Sequence, residues 1–194
     1  MKNFYSFFLL TFSILIFAQV STDADQVMEG INFQNQVIEK SIVGSIRFEN
    51  IGPSIMSGRV SDLEVNPKNP KEFYVAYASG GLWYTNNNGN TFDPIFDNAN
   101  TQNIGDFAVD WENNIIIVGT GENNSSRSSY AGIGILKSSD NGKNWENIGL
   151  TDSHHIGKIK INPKDSNEIV VGVLGHLYSK NSERGIFKTI NGGK

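Results

Sequence analysis

The side chains in this sequence that could do chemistry are carboxylates, arginines, histidines and a tyrosine in polar, glycine-rich segments. They fall in segments 121–132 and 175–184 and at further points ahead of apolar runs: Arg59, Glu122, Arg127, Tyr130, Asp152, His154, His155, His176, Glu183 and Arg184. Glycoside hydrolysis normally uses two carboxyl groups about 5 to 10 Å apart. Glu122 is the first candidate for a catalytic acid and Glu183 the second, although no motif makes either one specific.

A second chemistry open to these side chains is ligand binding. Arginine, histidine and tyrosine can bind an acidic sugar or a peptide carboxylate, because charge-assisted hydrogen bonds to anionic oxygens are strong. The candidate ligand-binding residues are Arg59, Glu122, Arg127, Tyr130, His155, His176 and Arg184. The same groups could instead brace the loops through ion pairs, with Glu122 or Glu183 holding an arginine.

The adjacent histidines His154 and His155 suggest a metal site only at first sight. Neighbouring side chains on a strand point to opposite faces, so two such imidazoles would not share an ion. We predict solvated or capping roles for the pair, no metal site and no cofactor.

These residues lie between copies of a short repeated motif, Ser/Thr-x-Asp/Asn-x-Gly-x-Thr/Asn-aromatic, which recurs about every fifty residues. We call the copies box 1 (85–92), box 2 (138–145) and box 3 (189–194). Their motif residues are Thr85, Asn87, Gly89 and Phe92; Ser138, Asp140, Gly142 and Trp145; and Thr189, Asn191 and Gly193. Box 3 reaches the end of the sequence before its expected aromatic residue.

Short β-rich runs recur in step with the boxes. Three precede each box and one follows the first two boxes, so each repeat is predicted to contain up to four strands, A to D. The fold class is therefore all-β, a β-propeller of four-stranded blades with about three blades present and an incomplete ring. The predicted blades span 58–97, 103–150 and 154–194, and 46–52 is predicted to be an orphan D strand because it resembles 145–149.

The boxes are predicted to be structural turns between strands C and D. The Asp or Asn accepts backbone hydrogen bonds, the glycine adopts a positive φ, and the aromatic side chain packs between blades. Asp140 is therefore not expected to be a catalytic acid. The B–C loops and D–A linkers lie at the opposite end of each blade, which we call the loop end, and the candidate site residues fall there.

Three further charged residues occupy equivalent positions on strand A, which lies nearest the propeller axis. They are Asp62, Asp106 and Lys158. Either they line a central channel or they pair across it, and the sequence leaves both arrangements open.

Residues 1–18 have the pattern of a secretory signal peptide: Lys2, an apolar run from Phe4 to Phe17, and Ala18. Residues 19–45 are predicted to be a lead-in segment that packs on the outside of the ring or leads into the first strand. We expect an exported protein in an extracellular, periplasmic or cell-surface location, with no membrane contact after signal removal. The formal charge of -4 with scattered basic residues argues against nucleic acid as a partner, and the absence of cysteine excludes disulfides.

The segment from Arg47 to Lys194 resembles the Asp-box (BNR) propellers, and within them sortilin-like secreted proteins of the glycosyl hydrolase type. The resemblance is carried by the boxes and by segments such as Gly58-Arg-Val60, Val118–Asn124, Leu174-Gly-His176 and Glu183-Arg-Gly185. It implies a module that binds a glycan, peptide or protein ligand at the loop end. The alternative is a secreted glycoside hydrolase, xyloglucanase-like or sialidase-like; the lack of an Arg-Ile-Pro segment weakens the sialidase version. Further blades or another chain would be needed to close the ring.

Overall fold

The structure is a computed structural model that describes residues 20–46, 58–124 and 129–194. Within those ranges the chain forms three antiparallel sheets, each built from consecutive strands. The predicted signal peptide, most of the predicted orphan strand (47–52) and Arg127 lie outside the described residues.

The strands of each sheet follow one another in chain order. Sheet 1 contains β1 (Val60–Val65), β2 (Phe73–Tyr77), β3 (Gly81–Thr85) and β4 (Asp93–Pro94). Sheet 2 contains β5 (Ile104–Asp110), β6 (Ile115–Thr120), β7 (Ile135–Ser138) and β8 (Glu146–Asn147). Sheet 3 contains β9 (Ile156–Asn162), β10 (Asp165–Val173) and β11 (Gly185–Thr189).

This arrangement confirms the predicted fold class: the described residues form successive blades of a β-propeller that do not close a ring. The boxes follow β3, β7 and β11, where the strand C to strand D turns were expected. Sheet 3 has strands equivalent to A, B and C.

The all-β prediction missed one helix, α1 (Ala24–Lys40), which lies within the predicted lead-in segment. Asp23 caps it by accepting a hydrogen bond from the Asp25 amide, and none of its residues is buried. Val27 lines a cavity with His154, and Ile38 lines another cavity with Asn98, so α1 lies beside the loop end. The expectation that this segment packs outside the ring or leads into the first strand stays a prediction. No helix in the described ranges has the length and hydropathy needed to cross a membrane.

Two hydrophobic cores hold the sheets together. The first lies between sheets 1 and 2 and includes Leu82, Phe96 and Phe107, all fully buried. The second lies between sheets 2 and 3 and includes Ile117 and Ile159. In β6, Ile116 and Val118 face the first core while Ile117 faces the second, as the two-residue period of a strand requires. The middle sheet is therefore buried on both faces.

The boxes share one hydrogen-bond network. In box 2 the Ser138 hydroxyl donates to Asp140 Oδ1 (2.8 Å) and accepts from the Gly142 amide (2.8 Å), and Asp140 Oδ1 also accepts from the Asn144 amide (2.9 Å). The hydroxyl bonds recur in boxes 1 and 3, at Thr85, Asn87 and Gly89 and at Thr189, Asn191 and Gly193. The carboxamide oxygen accepts from the Thr91 amide in box 1 and, one motif position earlier, from the Lys194 amide in box 3.

The acidic residue of box 2 is a hydrogen-bond acceptor and not a proton donor. Hydrogen bonds from the Asn144 backbone and side chain and from Ser138 lower the pKa of Asp140 to about 2. A carboxyl group with that pKa stays ionised near neutral pH, which agrees with a structural role.

Box 2 also fixes sheet 2 against sheet 1. The Trp145 indole Nε1 donates to the Ile95 carbonyl (3.1 Å), and its ring packs edge-on against Phe96 at 4.8 Å. Gly142 has φ +84° and lies against the Ile95 side chain. Phe92 of box 1 instead contacts Phe73 of its own sheet, with ring centroids 5.9 Å apart.

We predict that Gly142→Ala destabilises the protein by about 1–3 kcal/mol, because the turn requires a positive φ at this position and that conformation is strained for alanine. The added Cβ would also lie 2.8 Å from Ile95 Cδ1. The midpoint of urea unfolding measures the effect. Gly30→Ala on α1, where an added Cβ meets nothing within 4 Å, is the matched control. Equal unfolding midpoints for the two variants would contradict this account of the turn.

Candidate functional site

A bulge near the start of the first strand of each sheet determines what faces the propeller axis. Pairing skips one residue between Val60 and Asp62, between Ile104 and Asp106, and between Ile156 and Lys158. A bulge of this kind re-aims the side chain that follows it. The three equivalent charged residues are the ones directly after the bulges.

These charged residues pair with one another, which decides between the two arrangements left open by the sequence. Lys158 Nζ lies 2.9 Å from Asp62 Oδ2 and 2.6 Å from Asp106 Oδ1. Asp106 also accepts a hydrogen bond from the Ile159 amide at 2.6 Å. The lysine therefore joins the first strands of all three sheets.

The two aspartates have pKa values displaced in opposite directions. Burial, and then the hydrogen bond with Asp62, raise the pKa of Asp106 to about 7 against the opposing effect of Lys158. Partial burial acts to raise the pKa of Asp62, but hydrogen bonds with Asp106 and Lys158 outweigh it and hold that pKa below its usual value. Such a separation is typical of carboxyl groups that can act as acid and base.

Glu122 is buried at the loop end and forms an ion pair with Arg59. Arg59 directly precedes β1 of sheet 1, whereas Glu122 follows β6 of sheet 2, so the pair joins two sheets. Glu122 Oε2 has no hydrogen-bond partner among the described residues. The ion pair favours the bracing interpretation of Glu122 over a free catalytic acid.

The backbone around Glu122 is fixed as well. Its amide donates to the Tyr130 carbonyl (3.0 Å), and its carbonyl lies 2.8 Å from His155 Nδ1. The next residue, Asn123, donates to the carbonyls of Gly105 and Gly157, which are the bulge residues of sheets 2 and 3. The start of this loop is therefore tied to both first strands.

A cluster formed by Asp152, His154 and His176 was not expected from the sequence. The His154 and His176 rings stack with centroids 3.6 Å apart, and His176 Nε2 lies 3.1 Å from Asp152 Oδ1. Our argument against a metal site assumed that His154 is on a strand, and that assumption is wrong: β9 begins at Ile156 and His154 has φ +56°. His155 turns away toward Glu122, while His154 meets a histidine from the next loop.

Glu183 and Arg184 complete this cluster. Burial raises the pKa of Glu183, and the nearby Asp152 charge adds to the effect. Its Oε2 has no hydrogen-bond partner within the described part of the chain. Arg184 donates to the His176 carbonyl. Arg184 thus holds the loop that carries His176.

The cluster opens into a cavity of about 630 Å³. Its wall combines polar and apolar side chains from both long loops and from the segment before and within α1: Thr22, Val27, Ser129, His154, His155, His176, Tyr178 and Ser179. Tyr178 is 86% exposed and Tyr130, on the same loop as Ser129, is 54% exposed.

The structure thus divides the candidates of the sequence into two groups. Arg59 and Glu122 pair near Tyr130 and His155, and His176, Glu183 and Arg184 gather around Asp152. The sequence did not reveal that His154 stacks on His176, because the contact joins a linker and a loop separated along the chain. For the ion-paired group of Asp62, Asp106 and Lys158, the sequence did contain a signal, because these residues occupy equivalent positions in the three repeats.

No protein-family profile matches the chain, and no curated protein matches it either. Among solved structures, an ancestral GH74 enzyme is 21% identical, with a TM-score of 0.53 over 70% of this chain and 18% of that chain. The GH74 enzyme of Niastella koreensis is 16% identical, with a TM-score of 0.50 over 68% of this chain and 21% of that chain. This chain thus spans about a fifth of the length of those neighbours. At these identities the likeness shows the β-propeller fold alone.

We predict that Arg59→Ala lowers the free energy of unfolding by about 1–3 kcal/mol, because it leaves the buried Glu122 carboxylate without its partner. The partial exposure of Arg59 keeps the loss below that of a fully buried pair. The double variant Arg59→Ala/Glu122→Gln should recover part of the loss, since its buried group is uncharged. Chemical denaturation of the three proteins measures this. A double variant no more stable than Arg59→Ala would refute the bracing role.

A pH dependence follows from Asp106. Its pKa in the folded protein is raised from 3.8 to about 7, so its contribution to stability is complete at low pH and is lost as the pH rises through about 7. We expect the melting temperature of the wild type to fall, relative to that of Asp106→Asn, between about pH 4 and pH 7. Asp25→Asn on α1 is an exposed control. Parallel profiles for the wild type and Asp106→Asn would contradict the prediction.

Proposed function

We propose that this chain is part of an exported, sortilin-like Asp-box (BNR) propeller that binds a glycan, peptide or protein ligand at its loop end. The observation that carries the proposal is the loop-end cavity beside the histidine cluster. A volume of about 300–1,000 Å³ with a mixed wall and a few fixed polar groups is typical of a ligand site.

The Asp-box assignment is supported by the boxes themselves. In each box the glycine amide donates to the Ser or Thr hydroxyl, a later backbone amide donates to the Asp or Asn side-chain oxygen, and the glycine has a positive φ. These turns lie at the end opposite the cavity, and their Ser, Thr, Asp and Asn side chains are engaged in the hydrogen bonds of the turn. Function is therefore sought at the loop end.

The aromatic residues at the cavity support a glycan or peptide as the ligand class. Tyr178 lines the cavity and is largely exposed, and Tyr130 lies on the adjacent loop. An exposed tyrosine presents an apolar ring and a hydroxyl, which suits the faces of sugars and of extended peptides. The formal charge of -4 disfavours nucleic acid as the ligand.

The alternative function is a secreted glycoside hydrolase, and one observation favours it: the opposed pKa displacements of Asp62 and Asp106. The structural neighbours are GH74 enzymes by name, which is in line with this alternative. Against it, Lys158 is ion-paired to both aspartates, and Arg59 pairs with Glu122. We therefore place binding first.

The test is titration of the purified chain with xyloglucan oligosaccharides and with a panel of glycans and peptides. For a ligand that binds, Tyr178→Ala should weaken the affinity about tenfold or more, since truncating an aromatic anchor costs at least about 1–2 kcal/mol. Phe33→Ala on α1 removes an exposed aromatic residue that does not line the cavity and should leave the affinity unchanged. Equal losses in both variants, or none in either, would count against the loop-end site.

The same oligosaccharides test hydrolysis by following the release of reducing ends. If the wild type hydrolyses them and Asp106→Asn abolishes turnover while binding persists, the hydrolase alternative replaces the binding proposal. If hydrolysis occurs and both Glu122→Gln and Glu183→Gln leave it unchanged, the assignment of those two residues as catalytic candidates is wrong.

A further inference from the structure

A compact group of possible metal ligands lies at the loop-end cavity, where His154 and His176 line the wall and Asp152 lies beside His176. Asp152, His154 and His176 each offer one ligand atom, and these atoms all lie within 4.8 Å of one another. His176 Nε2 and Asp152 Oδ1 are already 3.1 Å apart. A tetrahedral ion with bonds of about 2.1 Å needs its ligand atoms about 3.4 Å apart. Turning the two stacked rings toward one point beside Asp152 would bring the group to that geometry. Asp152 and His154 are not fully buried.

The second ring nitrogen of His176 is held as it is in a metal-binding histidine. His176 Nδ1 lies 2.6 Å from the Ser179 hydroxyl, which fixes the ring and leaves Nε2 for the cluster. Asn181 accepts from the His176 amide (3.2 Å) and donates to the Asp152 carbonyl (2.9 Å). Outer contacts of this kind orient the ligands of a metal site.

The backbone holds His154 in a conformation that turns its ring to His176. Its φ of +56° is uncommon for a residue other than glycine and persists only where the surroundings impose it. The His154 carbonyl accepts a hydrogen bond from the Gly132 amide at 2.7 Å. The same geometry stacks the two imidazoles, although two charged rings would repel each other at this distance. An ion lies in the plane of each imidazole that binds it, so the two neutral rings would turn out of this stack to share one ion.

We propose that Asp152, His154 and His176 bind a divalent transition-metal ion, zinc first, with a further coordination position open to the cavity. Two imidazoles and one carboxylate are a ligand set that suits Zn²⁺, and three protein ligands leave a position for water or for a ligand group. The ion replaces the proton between His176 and Asp152. Metal binding does not depend on the proposed ligand binding, because the ion alone tests it.

The composition of the chain makes the test sharp. The sequence contains three histidines and no cysteine. Any zinc binding through histidine in the untagged protein must therefore use His154, His155 or His176. His155, whose Nδ1 faces the Glu122 carbonyl, is the matched control inside the same segment.

The experiment is calorimetric titration of the full, untagged, chelator-treated chain with Zn²⁺, followed by Co²⁺ absorption spectra that report tetrahedral coordination. We expect one ion per chain. His176→Ala, Asp152→Asn and His154→Asn should each weaken binding more than about 100-fold, because loss of an outer partner alone costs about 10- to 100-fold. Asparagine is chosen at position 154 because it tolerates a positive φ. Ser179→Ala should weaken binding about tenfold.

The controls are His155→Gln and Glu112→Gln, which should keep the wild-type affinity. Circular dichroism of each variant shows whether it folds, and Asp152→Asn, which keeps the side-chain volume, is the decisive variant if His176→Ala does not fold. The proposal is overturned by the absence of saturable one-to-one binding, by unchanged affinity in His154→Asn and Asp152→Asn, or by an equal loss in His155→Gln. Zinc binding without glycan or peptide binding would leave the metal site standing and reject the ligand proposal.

Discussion

In the described part of the chain, neighbouring sheets bury their facing surfaces against one another. Leu82, Phe96 and Phe107 fill the first interface, and Ile117 and Ile159 fill the second. No disulfide can assist, because the chain has no cysteine. Every other feature of the structure depends on this face-to-face packing, since the loops of different sheets meet only when the sheets are held at a fixed spacing.

The turns at one end and the ion pairs at the axis maintain that spacing in different ways. Trp145 reaches from box 2 to the Ile95 carbonyl of the preceding sheet. At the axis, the bulges turn Asp62, Asp106 and Lys158 toward one another, and one lysine satisfies two carboxylates from neighbouring sheets. A buried carboxylate without such a partner is costly, so these pairs favour one arrangement of the sheets. The three charged residues near the propeller axis therefore have a structural role: they hold the sheets in place.

The loop end differs from the turns and from the axis, because it has more polar side chains than are needed to hold the sheets and loops together. Arg59 and Glu122 pair between sheets, and Arg184 holds the His176 backbone. The stacked histidines and the exposed Tyr178 border the cavity without a comparable structural role. Long loops on a rigid scaffold commonly carry function, and here they bring a linker and a loop from neighbouring blades to one wall.

The sequence by itself determined the repeat, the strand order and the structural nature of the boxes, because spacing, turn residues and strand periodicity are local properties of the chain. It also placed Asp62, Asp106 and Lys158 at equivalent positions, although not whether they pair. It failed at His154, where a positive φ broke the strand rule that we applied to the two histidines. Only the tertiary structure decided that Arg59 meets Glu122, that Lys158 joins two aspartates and that His154 meets His176, because each contact joins separate repeats and depends on how the sheets pack.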